Sequence, residues 1–408
     1  MDNIELTYEQ LKQMDSSSYV LADIRDESTV NYGTLPGAVH IPQEQLSEEN
    51  LFRLEERLPK DKKIILYCTR GMFSKEKAAE LREAGYQAYS LSGGYTSWLL
   101  SYTKEAGANT TTDRNEKAGE ESGTDDMSLL PSAADIEKSI RKKFHKQLFS
   151  RFAKAVRDYE LIQEGDKIAV CISGGKDSML MAKLFQELQK HRKVSFELVF
   201  LVMDPGYNEV NRQMIEYNAK RLNLPITVFE SDIFDAVFDI EKSPCYLCAR
   251  MRRGHLYNKA KELGCNKIAL GHHYDDVIET ILMGMLYGGQ VQTMMPKLHS
   301  TNFEGMELIR PMYYIREEDI KHWRDYNKLH FLQCACRFTE TCTTCSAEGS
   351  SDSKRMEVKH MIAEMKKINP FVESNIFKSV ENVNLSTIIA YKKDGVKHHF
   401  LEEYGNGH

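Results

Sequence analysis

The stretch Lys167-Ile-Ala-Val-Cys-Ile-Ser-Gly-Gly-Lys-Asp-Ser178 decides the fold of the larger part of this chain. It opens with the apolar run KIAVCI, which has strand length, and a helical pattern follows from Lys176. Two adjacent glycines, Gly174 and Gly175, join them. Such a turn lets backbone approach an anion without Cβ clashes, and the free N–H groups at the helix start point at phosphate oxygens. The sequence therefore predicts a phosphate site.

Side chains in the same loop add charge and hydroxyl groups to that site. Lys176 supplies a cation, Ser173 and Ser178 supply hydroxyl donors, and Asp177 is the predicted catalytic carboxylate. The loop is too short for the GxxxxGK[ST] pattern, so it is not the phosphate loop of that class of NTPases.

Strands and helices alternate on both sides of this loop. A helix is predicted near 135–161, and the later strands are followed in turn by helices. This pattern predicts a doubly wound parallel α/β sheet, with ligands at the carboxyl ends of its strands. The segments predicted after the loop are the strands 196–203, 226–230 and 267–272 and the helices 209–222, 247–263 and 275–286.

Two strand ends beyond the loop are predicted to contact the nucleotide. Asp204 closes the strand 196–203, and Gly271 and His272 close the strand 267–272. Asp275 and Asp276 follow at the start of the next helix. Paired carboxylates beside phosphate can hold Mg²⁺, but the same residues also suit ordinary N-capping. The local sequence leaves both interpretations open.

The first hundred residues carry a second, smaller α/β pattern. Apolar runs at 19–24 and 63–68 predict strands, 74–84 has helical spacing, and 88–94 predicts a strand that ends in a Gly turn. Cys68 ends the second strand, and the loop to Ser74 can wrap its N–H groups around the sulfur. Those amides favour a thiolate or a persulfide. A buried structural cysteine is the alternative interpretation.

A segment of different composition separates the two patterns. Residues 102–133 are rich in Gly, Thr, Glu and Asp, with few large apolar side chains, which is typical of a flexible linker. We therefore predict a domain at 1–101, a linker at 102–133 and a second domain at 134–408. Acidic residues are in excess over 1–133 and basic residues are slightly in excess afterwards, so any polyanion would bind the second domain. The alternative interpretation is that so small an excess is ordinary and has no function.

Six of the nine cysteines fall in two short windows of the second domain. One window holds Cys245 and Cys248, and the other holds Cys334, Cys336, Cys342 and Cys345. Two CxxC pairs suit a zinc ion, an Fe–S cluster or a redox disulfide, and spacing alone does not choose among them. Cys171 and Cys265 are predicted to pack in the core.

Composition excludes several classes of protein. The amino-terminal residues lack the apolar segment of a secretory signal, and no apolar run is long enough to span a membrane. An odd number of cysteines scattered through a long chain does not indicate a secreted disulfide scaffold. We expect a cytoplasmic protein that does not bind membranes.

Over about residues 5–101 the sequence resembles the rhodanese family. The resemblance rests on Asp23-Ile24-Arg25, on Leu35 to Pro42, on the Cys68 to Ser74 loop and on Gly93-Gly94-Tyr95-Thr96-Ser97-Trp98. It implies a rhodanese-like parallel-sheet domain in which Cys68 carries persulfide sulfur. Phe73 stands where the family loop often has arginine.

Over about residues 138–388 the sequence resembles the tRNA 2-thiocytidine synthetases of the PP-loop ATPases, which have the adenine nucleotide alpha hydrolase-like fold. The resemblance rests on the loop 173–178, on Cys245 with Cys248, on 271–280, on 287–289, on 296–298, on 309–311 and on 342–346. It implies cleavage of ATP to AMP and pyrophosphate, and a [4Fe–4S] cluster on Cys245, Cys248 and Cys342. Cys345 is the less favoured ligand, and Cys334 and Cys336 are additional candidates.

Together the resemblances predict a tRNA sulfurtransferase. ATP and Mg²⁺ would activate the C2 oxygen of an anticodon-loop cytidine, at position 32, and sulfur from the cluster would replace it. Cys68 would relay sulfur from a cysteine desulfurase or another persulfide donor. The alternative is a zinc-stabilised PP-loop enzyme for another base or a small molecule. The basic segments at 141–146 and 250–253 are candidates for tRNA contact, with a solvated helix face as the alternative interpretation, and a homodimer is left open.

Overall fold

A computed structural model describes residues 3–30, 33–42, 45–46, 57–99, 101, 130–191, 193–207, 209–231, 244–331 and 351–404. The amino-terminal body contains strands β1 to β5 and helices α1 to α3. Their bounds are β1 Glu5–Leu6, α1 Tyr8–Lys12, β2 Tyr19–Asp23, α2 Glu27–Val30, β3 Val39–His40, β4 Lys63–Tyr67, α3 Met72–Glu83 and β5 Gln87–Leu91.

These five strands form one parallel sheet in the order β1-β5-β4-β2-β3. The central strand β4 is buried on both faces, because Ile64 and Leu66 pack on one side while Ile65 and Tyr67 pack on the other. This explains why its sequence reads as a continuous apolar run rather than an alternation.

The second body contains strands β6 to β13 and helices α4 to α13. Their bounds are α4 Ala133–Arg141, a π-helix His145–Phe149, α5 Ser150–Asp158, β6 Asp166–Ile172, α6 Lys176–Lys190, β7 Phe196–Asp204, α7 Glu209–Arg221, β8 Ile226–Glu230, α8 Pro244–Glu262, β9 Lys267–Ala269, α9 Tyr274–Gly288, β10 Lys297–His299, β11 Glu307–Ile309, α10 Glu317–Tyr326, α11 Ser351–Ile368, α12 Val372–Ser379, β12 Ala390–Lys393, β13 Val396–His399 and α13 Leu401–Tyr404.

The main sheet of the second body has the order β10-β11-β9-β6-β7-β8. All neighbours are parallel except the edge strand β10, and β12 and β13 form a separate antiparallel hairpin. Strand β6 pairs with β7 on one side and with β9 on the other. Their carboxyl ends open a crevice between them, where the strand order reverses and ligands bind. The predicted doubly wound fold is confirmed.

Two predicted segments differ from the structure. The helix expected at 135–161 is broken into α4, a π-helix and α5. The strand expected at 267–272 ends at Ala269, although Leu270 still donates to the carbonyl of Ile309 at 3.0 Å. Gly271 and His272 therefore lie in the loop at the crevice rather than in the strand.

The two bodies share a continuous apolar cluster that contains Trp98 from the first and Phe331 from the second. The ring of Trp98 is buried and meets His330 edge-on, with 5.2 Å between ring centroids. Most of the predicted linker lies outside the described residues, but its last residues lie within them, and Ser132 caps α4. No helix in the described part of the chain is long and apolar enough to cross a membrane.

Candidate nucleotide and sulfur sites

Cys68 lies directly after β4, and its sulfur is surrounded by hydrogen-bond donors. The Gly71 N–H lies 3.1 Å from Sγ, and the Ser74 hydroxyl lies 3.5 Å from it. Ser74 also bonds Ser90, at 2.8 Å between the hydroxyl oxygens. The Cys68 side chain is only 6% exposed. This arrangement suits a sulfur that carries negative charge.

The loop around Cys68 requires two glycines. Gly71 has φ +90 and begins α3, and Gly94 has φ +56 in the following turn. A Cβ on Gly94 would lie 2.3 Å from the Cys68 carbonyl oxygen and 2.7 Å from the Gly71 nitrogen. The Gly93-Gly94 turn therefore packs directly beneath the cysteine loop and holds it in place.

The predicted phosphate loop joins β6 to α6 at the crevice. Gly174 has φ +87, a conformation that favours glycine. Gly175 begins α6 and offers no side-chain cap, which leaves the first N–H groups of the helix for a ligand. The Ser178 hydroxyl accepts from the Ser173 N–H at 3.1 Å and donates to the Gly175 carbonyl at 3.0 Å. Ser178 therefore holds the loop in shape.

Lys176 and Asp177 form a charged pair at the start of α6. Lys176 is buried, and its ammonium lies 3.1 Å from Asp177 and 3.3 Å from Glu317. The other Asp177 oxygen, Oδ1, is buried without a hydrogen-bond partner among the described residues. The His273 ring lies near it, with Nε2 3.9 Å from that oxygen. A buried carboxylate oxygen that accepts no hydrogen bond, beside a phosphate loop, fits a divalent cation such as Mg²⁺.

The paired aspartates at the start of α9 already have partners. Asp276 Oδ2 accepts from the His273 N–H at 2.9 Å, and Asp275 Oδ2 accepts from the Glu317 N–H at 2.7 Å. Burial lowers the pKa of His273, but the carboxylates of Asp276, Asp177 and Asp275 raise it overall. Asp276 thus takes part in capping the helix, as one of the two interpretations predicted.

Asp204 closes β7 but turns its carboxylate inward to its own loop. Oδ1 accepts from the N–H groups of Gly206 and Tyr207, at 2.9 and 2.6 Å, and Oδ2 pairs with Arg212 at 2.6 Å. A ligand at this strand end would therefore meet backbone rather than the Asp204 carboxylate.

Gly271 and His272 lie on the opposite wall of the crevice. A Cβ on Gly271 would lie 3.2 Å from the Ser178 nitrogen, so the backbone here approaches the phosphate loop closely. Burial, assisted by Arg310, lowers the pKa of His272 to about 4. His272 is therefore neutral at physiological pH, and its Nδ1 lies 3.3 Å from the Arg310 side chain.

Comparisons with known proteins agree with this architecture. The profile of the "PP-loop domain" matches residues 140–336, and that of the "Rhodanese-like domain" matches residues 7–101. The tRNA-cytidine(32) 2-sulfurtransferase of Alkalilimnicola ehrlichii is 38% identical over 251 residues, which cover 60% of this chain and 76% of the relative. The enzyme of the same name from Geotalea uraniireducens is 34% identical over 248 residues, 60% of this chain and 94% of the relative.

The chain belongs to the tRNA-cytidine(32) 2-sulfurtransferase family. It is a PP-loop sulfurtransferase with a rhodanese-like domain at its amino-terminal end, and both predicted resemblances are confirmed.

Among solved structures, the U34-tRNA thiolase NcsA from Methanococcus maripaludis with its [4Fe-4S] cluster is similar to this sulfurtransferase at 22% identity. The TM-score is 0.46, over 58% of this chain and 78% of that one. The family assignment rests on the sequence relatives.

The predicted cluster ligands of this family member lie largely outside the described residues. Cys245 and Cys248 fall in the first turns of α8, whose backbone alone is described there, and Cys334, Cys336, Cys342 and Cys345 are outside. No group of three or more metal-ligating side chains occurs within the described part of the chain. Cys171 and Cys265 are buried in an apolar cluster as predicted, and burial raises the pKa of Cys171 to about 12.

Sequence reasoning missed several charged residues around the phosphate loop. On α11, Arg355 lies 2.9 Å from Asp276, and Lys359 lies 2.6 Å from Glu317. Burial raises the pKa of Glu317, but Lys176 and Lys359 lower it overall. These residues are far from the loop in sequence, so no local pattern marks them. The apolar spacing of their helices predicts that each helix packs on the core, but it does not predict which residues the charged side chains contact.

Proposed function

We propose that this sulfurtransferase converts cytidine 32 of tRNA to 2-thiocytidine with ATP. The observation that carries the proposal is the glycine-turned loop at the strand switch, with the Asp177 oxygen that accepts no hydrogen bond beside it. The chain is 38% and 34% identical to two relatives named for this reaction. The predicted domains, 1–101, 102–133 and 134–408, form part of the proposal.

The first chemical step activates the base. The C2 oxygen of cytidine attacks the α-phosphorus of ATP, an O–P bond forms, and the bond to pyrophosphate breaks. Gly174, Gly175 and the first N–H groups of α6 bind the phosphates, with Ser173, Lys176, the backbone at Asp204, Gly271 and His272 around the nucleotide. Asp177 would hold Mg²⁺, with Asp275 and Asp276 as further candidate ligands, and the ion would neutralise charge on the phosphates.

The second step replaces oxygen with sulfur. Hydrosulfide attacks C2, the C–S bond forms, the C–O bond breaks, and AMP leaves with the former C2 oxygen. Cys245, Cys248 and Cys342 would hold a [4Fe–4S] cluster, which would supply Lewis-acid chemistry for hydrosulfide. Zinc in its place is the alternative, which iron and acid-labile sulfide analysis of anaerobically purified protein separates from the cluster.

Sulfur reaches this chemistry through Cys68. A cysteine desulfurase transfers a sulfane sulfur to the Cys68 thiolate, and the Gly71 and Ser74 donors stabilise the persulfide. Release of hydrosulfide from a persulfide is a two-electron reduction. Two external thiols supply the electrons and become a disulfide, which regenerates Cys68.

The decisive experiment measures thiolation directly. Full-length protein, an unmodified tRNA transcript, ATP, Mg²⁺ and sulfide should yield 2-thiocytidine at position 32, with one AMP and one pyrophosphate per product. Asp177→Asn should lower the rate by about 100-fold, because a charge that holds the cation is removed. Asp394→Asn, in the β12–β13 turn, is the matched control and should be fully active. Thiolation of another base, or of a small molecule alone, would overturn the proposal.

The relay is tested separately by changing the sulfur source. Cys68→Ala should lose nearly all thiolation when a cysteine desulfurase and cysteine are the source, and keep it when sulfide is supplied. Full activity of Cys68→Ala with the desulfurase would exclude the relay while leaving the thiolation chemistry intact.

A further inference from the structure

A groove of about 660 Å³ lies where α4 and the residues on either side of it approach the end of α10, away from the phosphate loop. Lys138, Lys142 and Lys143 line it from α4 and the break that follows, and Tyr326 and Asn327 line it from the end of α10. None of these residues takes part in the proposed chemistry.

The three lysines are exposed, and none has a carboxylate within 4 Å among the described residues. Glu137, on the same helix, is turned away and pairs with Lys183 and Lys190, both at 2.8 Å. The acidic residue at the groove, Asp135, is engaged in a capping box with Ser132. The three lysines outnumber the one carboxylate at the groove, that of Asp135, which interacts with Lys138, so the groove keeps a net positive charge and attracts an anion.

The other wall of the groove is aromatic and fixed. Tyr326 is 52% exposed, the Lys143 ammonium lies 3.8 Å from its ring centroid, and Phe144 packs edge-on against it. At the floor, the Asn327 amide donates to the Ser139 hydroxyl at 3.1 Å and to the Trp323 carbonyl at 2.7 Å. Cations beside an exposed aromatic ring are the surface that single-stranded nucleic acid binds.

Helix α10 connects this groove to the phosphate loop. Glu317, at its first turn, lies 3.3 Å from Lys176, and Tyr326 ends the helix. Ten helical residues span about 15 Å. A few nucleotides of an RNA loop cover that distance, so one strand can occupy the groove while another nucleotide lies at the crevice.

We propose that this groove binds the sugar–phosphate backbone of the tRNA substrate, next to the nucleotide that is thiolated. The inference rests on the proposed function and adds the surface that positions the RNA. Lys138, Lys142 and Lys143 contact phosphates, and Tyr326 packs against a sugar or a base.

The experiment measures binding of an unmodified tRNA transcript to the full-length protein over a range of salt concentrations. The triple variant K138E/K142E/K143E should weaken binding at least about tenfold near 100 mM salt. The slope of log K against log salt should fall by about 0.7 for each phosphate that the variant no longer neutralises. K62E/K75E/K77E is the control matched in charge, because all three lysines lie in the amino-terminal domain and none lines the groove, and it should change neither quantity.

Tyr326 separates stacking from charge. Tyr326→Ala should weaken binding several-fold without changing the salt slope, and Tyr326→Phe should restore it. ATP binding, measured in the same preparations, should be unchanged in every variant and confirms that they fold. If the triple variant kept the wild-type affinity and salt slope, the proposal that the groove binds tRNA would be wrong, and the proposed function would stand. Absence of tRNA binding by the wild-type protein would overturn the proposed function as well.

Discussion

The Cys68 loop and the Gly174 loop both present backbone N–H groups to a negatively charged group, but they differ in where that group comes from. Each joins a parallel strand to a helix, and each uses a glycine at positive φ to direct backbone N–H groups inward. In the first, the group they bind belongs to the loop, since the Gly71 N–H already bonds the Cys68 sulfur. In the second, the helix start has no side-chain cap, so the group they bind comes from outside.

This difference indicates what each loop is built to hold. A sulfur that must stay on the protein is covalently attached and nearly buried, and its neighbours bond it in advance. A nucleotide that must come and go meets a loop whose shape is fixed by Ser173 and Ser178 and whose donors are left for the ligand. The two loops should therefore fail independently when each is altered.

The largest effect is expected from Gly94→Ala. The new Cβ would lie 2.3 Å from the Cys68 carbonyl oxygen, at a φ that disfavours L side chains. The first domain should lose about 3 kcal/mol of unfolding free energy. Calorimetry of the full-length protein should show an earlier first transition, and thiolation supplied by the desulfurase should fall while thiolation supplied by sulfide persists.

Its control is Gly85→Ala, which has a similar φ of +87 but no atom within 4 Å of the new Cβ. This variant should lose only about 1 kcal/mol, the cost of the left-handed backbone. Equal destabilisation of the two variants would show that packing against Cys68 does not matter.

A smaller effect is expected from Gly271→Ala, which should impair the other activity: cleavage of ATP falls while persulfide loading of Cys68 is kept. The Cβ would lie 3.2 Å from the Ser178 nitrogen and push on the start of α6. Formation of AMP and pyrophosphate should fall about tenfold, roughly 1.4 kcal/mol, whereas loading of Cys68 with persulfide should be normal. Gly288→Ala, with open space around the new Cβ, should leave both activities unchanged. Reduced persulfide loading in Gly271→Ala would contradict the independence of the loops.

The smallest effect on thiolation is expected at Glu279, near the second loop, where a change of charge alters stability only. Burial raises the pKa of Glu279 to about 7. The unfolded chain ionises this carboxyl near its ordinary pKa of 4.5, so stability falls as pH rises from about 4.5 to 7. Glu279→Gln removes this loss, so the variant should gain more unfolding free energy at pH 8 than at pH 5, by about 1–3 kcal/mol. The rise in melting temperature should accordingly be larger at pH 8. Parallel pH curves for the two proteins would contradict this.

The sequence predicts those strands and turns whose conformation depends on residues adjacent in the chain. The strand ITVFE is found at Ile226–Glu230 as predicted, because a short apolar run between polar turns has few alternatives. The same holds for the Gly-Gly turn before Lys176. The strand 267–272 was predicted too long, since Gly271 and His272 can continue a strand pattern but serve the crevice instead.

The partners of these loops could not be predicted in the same way. Glu317, Arg355 and Lys359 surround the phosphate loop through packing of α6, α9, α10 and α11, although each lies more than a hundred residues from that loop in sequence. A charged residue on an amphipathic helix has the same pattern whether it faces solvent or a buried ion pair. Asp204 was predicted at the right strand end, but its turn consumes the carboxylate that sequence reasoning assigned to the nucleotide.

The burial of Lys176 has a consequence for the ligand-free state of the enzyme. Its ammonium is 2% exposed and is already neutralised by Asp177 and Glu317. If a triphosphate binds this loop as proposed, its phosphates would exchange with these two carboxylates as counter-ions of Lys176. The buried charge of Lys176 is therefore paired in the ligand-free protein as well, and the absence of a nucleotide does not expose the folded state to the cost of an unpaired buried charge.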